Sequence, residues 1–249
     1  LWMAVVGDKF IMCKYIYDSS KRKLSSTEVE IVKAKESIKT LLVIEDKYRE
    51  TALASERFDK FMTSLAASID LTYRAYKSGS AIELTVLLAN QIDALLRLTL
   101  ILKKQLDYNT NQIDTTLIHQ KETDRPIMEK EVYKLALKEG ILTQRLYEKL
   151  FDLYNQRNKV VHRYIITDLL TRDVFNISYQ YSKLEEEVGN IVRQYEQKQF
   201  QSKIGIYGTD TPPDEPVDKT LKAKLINALK EKHAHRVVNN EITFEDKNK

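Results

Sequence analysis

Arg157-Asn158-Lys159-Val160-Val161-His162 sets a permanent cation five residues before an imidazole. Cleaving an RNA phosphodiester without a metal makes three demands. A base must take the 2′-hydroxyl proton, a cation must steady the charge growing at phosphorus, and an acid must protonate the leaving 5′-oxygen. Histidine serves as base or acid. Arginine stays charged and offers a planar fork to phosphate oxygens. Preorganised positive charge at a developing oxyanion is often the largest catalytic contribution. One arginine and one histidine are too few for both proton transfers. The plain alternatives stand beside this reading: Arg157 as a helix-terminal cation that offsets the helix dipole, and His162 as a satisfied core histidine.

Helical geometry sharpens the question. At 3.6 residues per turn, a spacing of five puts Arg157 and His162 about 140° apart on a straight helix. Asn158 and His162, four apart, share a face, so Asn158 is the residue expected to orient His162. Arg157 and Tyr164, seven apart, nearly align. Arg157 and His162 therefore meet only if the arginine reaches round, the helix distorts, or a second chain supplies the other half.

The motif needs a helix to carry it. Thr143 is placed to cap one, with Leu146, Leu150, Leu153 and Tyr154 on a single face and the motif at its far end. Before it, Pro126 suits the start of a short helix that stops before Gly140. Ser80-x-x-Glu83 reads as a capping box opening a long apolar helix over 81–106. Within that helix Glu83, Asn90, Asp93, Arg97 and Lys104 fall close to one polar stripe. Asp93 and Arg97 also form a favourable i,i+4 pair, which explains them without any site.

The remaining elements follow from punctuation. Val5 to Tyr17 holds one or two short strands around Gly7-Asp8, and Thr27-x-x-Glu30 opens a helix to about Glu50. Phe58, Phe61, Met62, Leu65, Ile69, Tyr73 and Tyr76 recur at helical spacing within 55–77, and Gly79 ends that helix. Residues 107–125 read as a long polar loop, and 182–203 as a further helix. Gly205 to Pro216 holds three of the chain's four prolines and reads as a linker. Beyond it, 220–236 is a basic helix candidate followed by a frayed tail. Tyr179, Tyr181 and Tyr195 suit either base stacking or core packing. His233 and His235, beside the tail lysines, suit phosphate contact or plain solvation. His119 stands in the polar loop without a partner.

Composition bounds the class. The 249 residues are 43% hydrophobic and 31% charged, which reads as a soluble globular chain. Six Gly and four Pro leave little punctuation for many strands, so long helices are expected. A net charge of +4 permits a nucleic-acid partner without demanding one. The single Cys13 forms no internal disulfide, and no Cys/His cluster has metal-ligand spacing, so no metal or cofactor is expected and a reducing cytoplasm fits. No signal peptide is read at Leu1-Trp2-Met3. Leu84 to Leu102 is long and apolar, but Asp93 and Arg97 at mid-span would each cost about 2.5–3.5 kcal/mol on insertion, so a buried helix is expected instead of a membrane span.

From about Ser80 to Lys203 the chain resembles the HEPN domains, helical domains marked by Arg-x4–6-His with Asn often after the Arg. Leu137-Lys138-Glu139-Gly140-Ile141-Leu142, then Leu146 to Tyr154, then Arg157-Asn158 and His162 carry the likeness. Arg157, His162 and Tyr164 also match the Arg-x4-His-x-Tyr pattern of HepT-like toxins. The resemblance implies an all-α, HEPN-type antiparallel helical bundle over 80–204. Around it lie a helical extension over 1–79, a linker over 205–216 and a basic tail over 217–249. It implies a metal-independent endoribonuclease, a toxin or antiviral defence effector leaving a 2′,3′-cyclic phosphate. Its composite site would join two copies of the chain. Arg157, His162 and Asn158 would be catalytic, with Asp93, Asn90 and Arg97 in support. Asp93 would hold Arg157 or fix the His162 tautomer. Lys159 and Arg163 would contact RNA, and Tyr164 would be a modification site for a nucleotidyltransferase antitoxin or another defence-system partner. A non-catalytic HEPN-type module for RNA or protein binding and dimerisation is the other expectation.

Overall fold

The computed structural model describes residues 46–120 and 123–208 continuously, and elsewhere 2–6, 9–13, 27–28, 30–32, 226, 229, 232–233, 235–238 and 241–244. Two compact units divide the chain, one of Thr51–His233 and one of Leu1–Glu50 with Ala234–Lys249.

In the smaller unit, β1 (Trp2–Val6) and β2 (Lys9–Cys13) pair antiparallel from Val6↔Lys9 to Trp2↔Cys13. They bracket Gly7-Asp8 as expected. Thr27, Glu28 and Glu30 to Val32 are helical; most of the helix expected to Glu50 lies outside the described residues. β3 (His235–Val238) pairs antiparallel with β4 (Glu241–Phe244). This corrects the reading of 220–236 as helix followed by fraying. Residues 226, 229, 232 and 233 are helical, but His235 and Arg236 belong to a strand. Val237, Val238, Ile242 and Thr243 are β-branched and flank Asn239-Asn240, a composition that favours a hairpin over a helix.

The larger unit is all-α. Its helices are α1 (Arg49–Ser78), α2 (Ala81–Asp107), α3 (Glu129–Lys138), α4 (Gln144–Arg163) and α5 (Thr171–Ser202). No strand occurs among the described residues from 46 to 208. α2 is the hub and packs on α3, α4 and, most extensively, α5. It is long and apolar enough to cross a membrane by length and composition, yet 61% of its apolar stretch is buried inside the bundle. Ile92 and Leu96 of α2 meet Val132 and Ala136 of α3, Leu150 and Val160 of α4, and Val174 and Val188 of α5 in one core. Phe58 of α1 joins Leu98, Leu102 and Val192 in a second cluster. Burying such side chains stabilises the fold by about 1.5–3 kcal/mol each before entropy is counted.

Local signals set the ends of the site-bearing helices. Gly140 takes φ +69°, which ends α3. Thr143 Oγ1 accepts from the Leu146 amide at 3.2 Å and opens α4 as expected. Ser80 is the residue before α2, but its side chain makes no capping hydrogen bond, so the expected box is not formed. α5 begins at Thr171, not at the expected Ser182. The Leu170 amide donates to Asp173 Oδ2 at 2.9 Å, and Val174, Ile177, Tyr181, Leu184 and Val188 carry the buried stripe. β-branched residues and tyrosines hid that stripe from a reading by propensity.

The connection from α2 to α3 is pinned at several points. Asp114 caps a short 3-10 turn over Thr115–Leu117. Arg97 Nη1 donates to the Leu117 carbonyl at 2.7 Å, and Nη2 to the Ile127 carbonyl at 2.8 Å. Gly205–Gly208, read as the start of a linker, is fastened to the bundle. The Ile206 amide donates to Gln105 Oε1 at 3.2 Å and the Tyr207 amide to Gln199 Oε1 at 3.0 Å. Gly205 at φ +84° lies so close to Gln199 that a Cβ would come within 2.3 Å of it. The rest of 205–216 lies outside the described residues.

Candidate functional site

α4 has two sides, and the motif divides between them. Val160 is buried in the main core. Arg157 lies three residues earlier and turns inward; its side chain is 15% exposed. Its Nη2 donates to Glu129 Oε2 at 2.5 Å, and the guanidinium stacks over the Tyr154 ring, 4.9 Å from the centroid. Glu129 is the first residue of α3, 13% exposed, and also accepts from the Tyr133 hydroxyl. Neither Glu129 nor Tyr133 was among the residues singled out by the motif. The available signal was the i,i+4 spacing of an acid and a tyrosine at the start of an amphipathic helix.

Asp93 of α2 belongs to the same interior cluster. Its Oδ2 accepts from Arg97 Nε at 2.7 Å. Asp93 Oδ1, Arg157 Nε and the Tyr181 hydroxyl are buried without a hydrogen-bond partner. Burial pushes the Asp93 carboxyl above the ordinary aspartate value, against the pull of the Arg97 bond and the Arg157 charge. Burial likewise raises Glu129, outweighing the Tyr133 hydrogen bond and the Arg157 charge, while Asp93 adds to the rise. Two carboxylates with raised pKa values therefore face Arg157 from α2 and α3. Burial and the Glu129 charge keep the Tyr133 and Tyr181 hydroxyls protonated well past their usual range.

His162 is elsewhere. It is exposed on the last turn of α4, and no side chain hydrogen-bonds to it. Lys159 and Arg163 are exposed too. Val161 is 44% exposed, and Ile165 and Ile166 in the following 3-10 turn are 94% and 78% exposed. Asn158 is half-buried with no hydrogen bond to His162, so the expected orienting contact is not made. Tyr164 is half-buried, and its hydroxyl shares a 2.8 Å hydrogen bond with Thr171 Oγ1 at the start of α5.

The polar stripe of α2 splits in the same way. Asp93 and Arg97 turn into the bundle, whereas Glu83, Asn90 and Lys104 are exposed. Asn90 does not join the cluster. Arg97 is the anchor of the α2–α3 connection as well as the partner of Asp93. Tyr181 is fully buried, Tyr195 packs partly against the core, and Tyr179 is exposed. His119 is exposed, and His233 Nε2 lies 3.1 Å from Asp70 of α1. Among the described residues no three His, Cys, Asp or Glu side chains gather to hold a metal ion.

Compared with known proteins, the chain matches no family model, no curated protein and no solved structure.

Proposed function

We propose that this chain is a HEPN-type endoribonuclease, a toxin or defence effector of the cytoplasm that cuts RNA at a site shared by two copies. The observation that carries this is the outward placement of His162. It stands on an exposed helix end beside Lys159 and Arg163, next to the exposed Val161, Ile165 and Ile166. An exposed histidine can reach a ribose, exposed cations suit phosphate, and exposed branched side chains suit a second protein surface. Pairing two such ends supplies two histidines. His162 of one copy takes the 2′-hydroxyl proton. The 2′-oxygen bonds to phosphorus, the bond to the 5′-oxygen breaks, and His162 of the other copy gives that oxygen a proton. The products are a 2′,3′-cyclic phosphate and a free 5′-hydroxyl. Arg157 is the candidate for charge on phosphorus, and Asn158 for positioning.

Purified protein incubated with single-stranded RNA in EDTA tests the reading. Cyclic-phosphate ends should form, and His162→Ala should lower the rate by about 10²–10⁴-fold. Equal cleavage by His162→Ala removes the reading.

One observation favours a second reading, a non-catalytic HEPN-type module for RNA or protein binding. Arg157 is committed to Glu129 inside the bundle and turned away from the face that bears His162. RNA bound without cleavage, and bound equally by His162→Ala, selects it. Tyr164 as an acceptor of a nucleotidyl group is tested by mass spectrometry after co-expression with a neighbouring nucleotidyltransferase; an unmodified Tyr164 excludes that partner.

A further inference from the structure

A guanidinium carries five N–H donors in a fixed fork. That of Arg157 spends Nη2 on Glu129 and leaves Nε buried without a partner. The groups around it come from four helices. They are Asp93 of α2 (itself bonded to Arg97), Glu129 and Tyr133 of α3, Tyr154 of α4 itself, and Tyr181 of α5. Asp93 Oδ1 and the Tyr181 hydroxyl are also unpaired, so the cluster holds spare donors and spare acceptors. Among the described residues the charged group hydrogen-bonded to Arg157 is the Glu129 carboxylate, and the Tyr133 hydroxyl fixes that carboxylate in turn. Held by Glu129 inside the bundle, the Arg157 guanidinium is turned away from the His162 face, and only once freed can the long side chain reach round the helix to a phosphate there.

We propose that Glu129 is an autoinhibitory latch, which holds Arg157 inside the bundle until an RNA phosphate takes the place of the carboxylate. The latch regulates the ribonuclease site proposed above and rests on that reading for its consequence, though not for the contact itself. Releasing Arg157 leaves Glu129 with the Tyr133 hydroxyl as its remaining bond. The arginine gains a phosphate oxygen, which it can bind bidentately. An idle chain thus keeps its phosphate cation out of the site. Arg97 ties Asp93 to the Leu117 and Ile127 carbonyls, and Ile127 lies two residues before Glu129, so the α2–α3 connection sets where the latch residue stands.

Phenylglyoxal labels accessible arginines and reads the latch without any enzyme assay. Labelling of Arg157 is followed by peptide mass spectrometry against exposed Arg145 as an internal standard, in wild type, Glu129→Gln and Tyr133→Phe. Wild-type Arg157 should label far more slowly than Arg145. Glu129→Gln should raise its relative rate about ten-fold, and Tyr133→Phe, which keeps the ring and loosens the carboxylate, by a smaller factor. RNA cleavage by Glu129→Gln should rise in parallel. Arg157 labelling as fast as Arg145 in wild type, or unchanged in both variants, overturns the latch. Faster labelling with slower cleavage also overturns it, since Glu129 would then serve the site by positioning Arg157. Faster labelling with no cleavage by any form leaves the latch standing and removes the ribonuclease reading.

Discussion

Arg157 and Glu129 are a buried charge pair, and breaking such a pair costs more than the pair contributes. Arg157→Ala strands the Glu129 carboxylate, 13% exposed, and should lower unfolding free energy by about 3–5 kcal/mol in urea titrations. Replacing both partners with apolar residues, Arg157→Met with Glu129→Leu, should cost less than the two single changes added together. Full additivity would mean that the two side chains are not coupled. The same residues give stability a pH dependence. Glu129 and Asp93 have folded-state pKa values above their unfolded ones, so the folded state binds more protons between those values. Their contribution therefore weakens as pH rises from the ordinary carboxylate range through the raised folded values, and is constant above them. Thermal midpoints of Glu129→Gln minus wild type should grow more positive across that window, because carboxylates that do not interact with Glu129 cancel in the difference. A flat difference would show that Glu129 titrates as an ordinary glutamate.

At the scale of elements, single side chains hold whole segments. Arg97 fastens the α2–α3 connection by two carbonyls while it pairs with Asp93. Arg97→Ala should speed amide exchange at Thr115 to Gln120 and Ile127 to Met128 and leave the core of α5 protected; uniform loss of protection would mean global destabilisation instead. Gly205→Ala meets both a left-handed backbone and the Gln199 side chain, and should cost about 1–3 kcal/mol with release of Ile206 and Tyr207. Helix positions were largely legible in the sequence. The Thr143 cap, Gly79, Gly140 and the apolar run of α2 are local signals, and the structure uses them. α5 begins ahead of the expected Ser182 because its first third has the composition of a strand and is helical through packing. The apolar stripe of α1 is helical as expected, yet it is covered unevenly. Phe58 is buried, while Tyr73 and Tyr76 are 59% and 73% exposed.

For the whole molecule, the proposed site is complete only with a second copy. Ile165 and Ile166 are the most exposed large apolar side chains beside His162. Ile165→Asp with Ile166→Asp should leave the folded chain as stable as wild type, since neither side chain is buried, yet give a monomer by sedimentation and abolish cleavage. Dimer and activity both surviving would place the copies' contact elsewhere.

The residue types at 157, 158, 162 and 164, the amphipathic helix that bears them and the all-α class were determined by the sequence alone. Spacing of apolar residues and caps is local information, and a helix reads it directly. The same spacing already placed Arg157 and His162 on different faces. What the tertiary structure decided is where those faces go. Asp93 of α2 and Glu129 of α3, 36 positions apart in the chain, come to one arginine only when α2, α3 and α4 pack together. No local pattern encodes that meeting. It follows from which side of each helix the core covers, and so the partner of Arg157 is a carboxylate inside the bundle and not the histidine in its own motif.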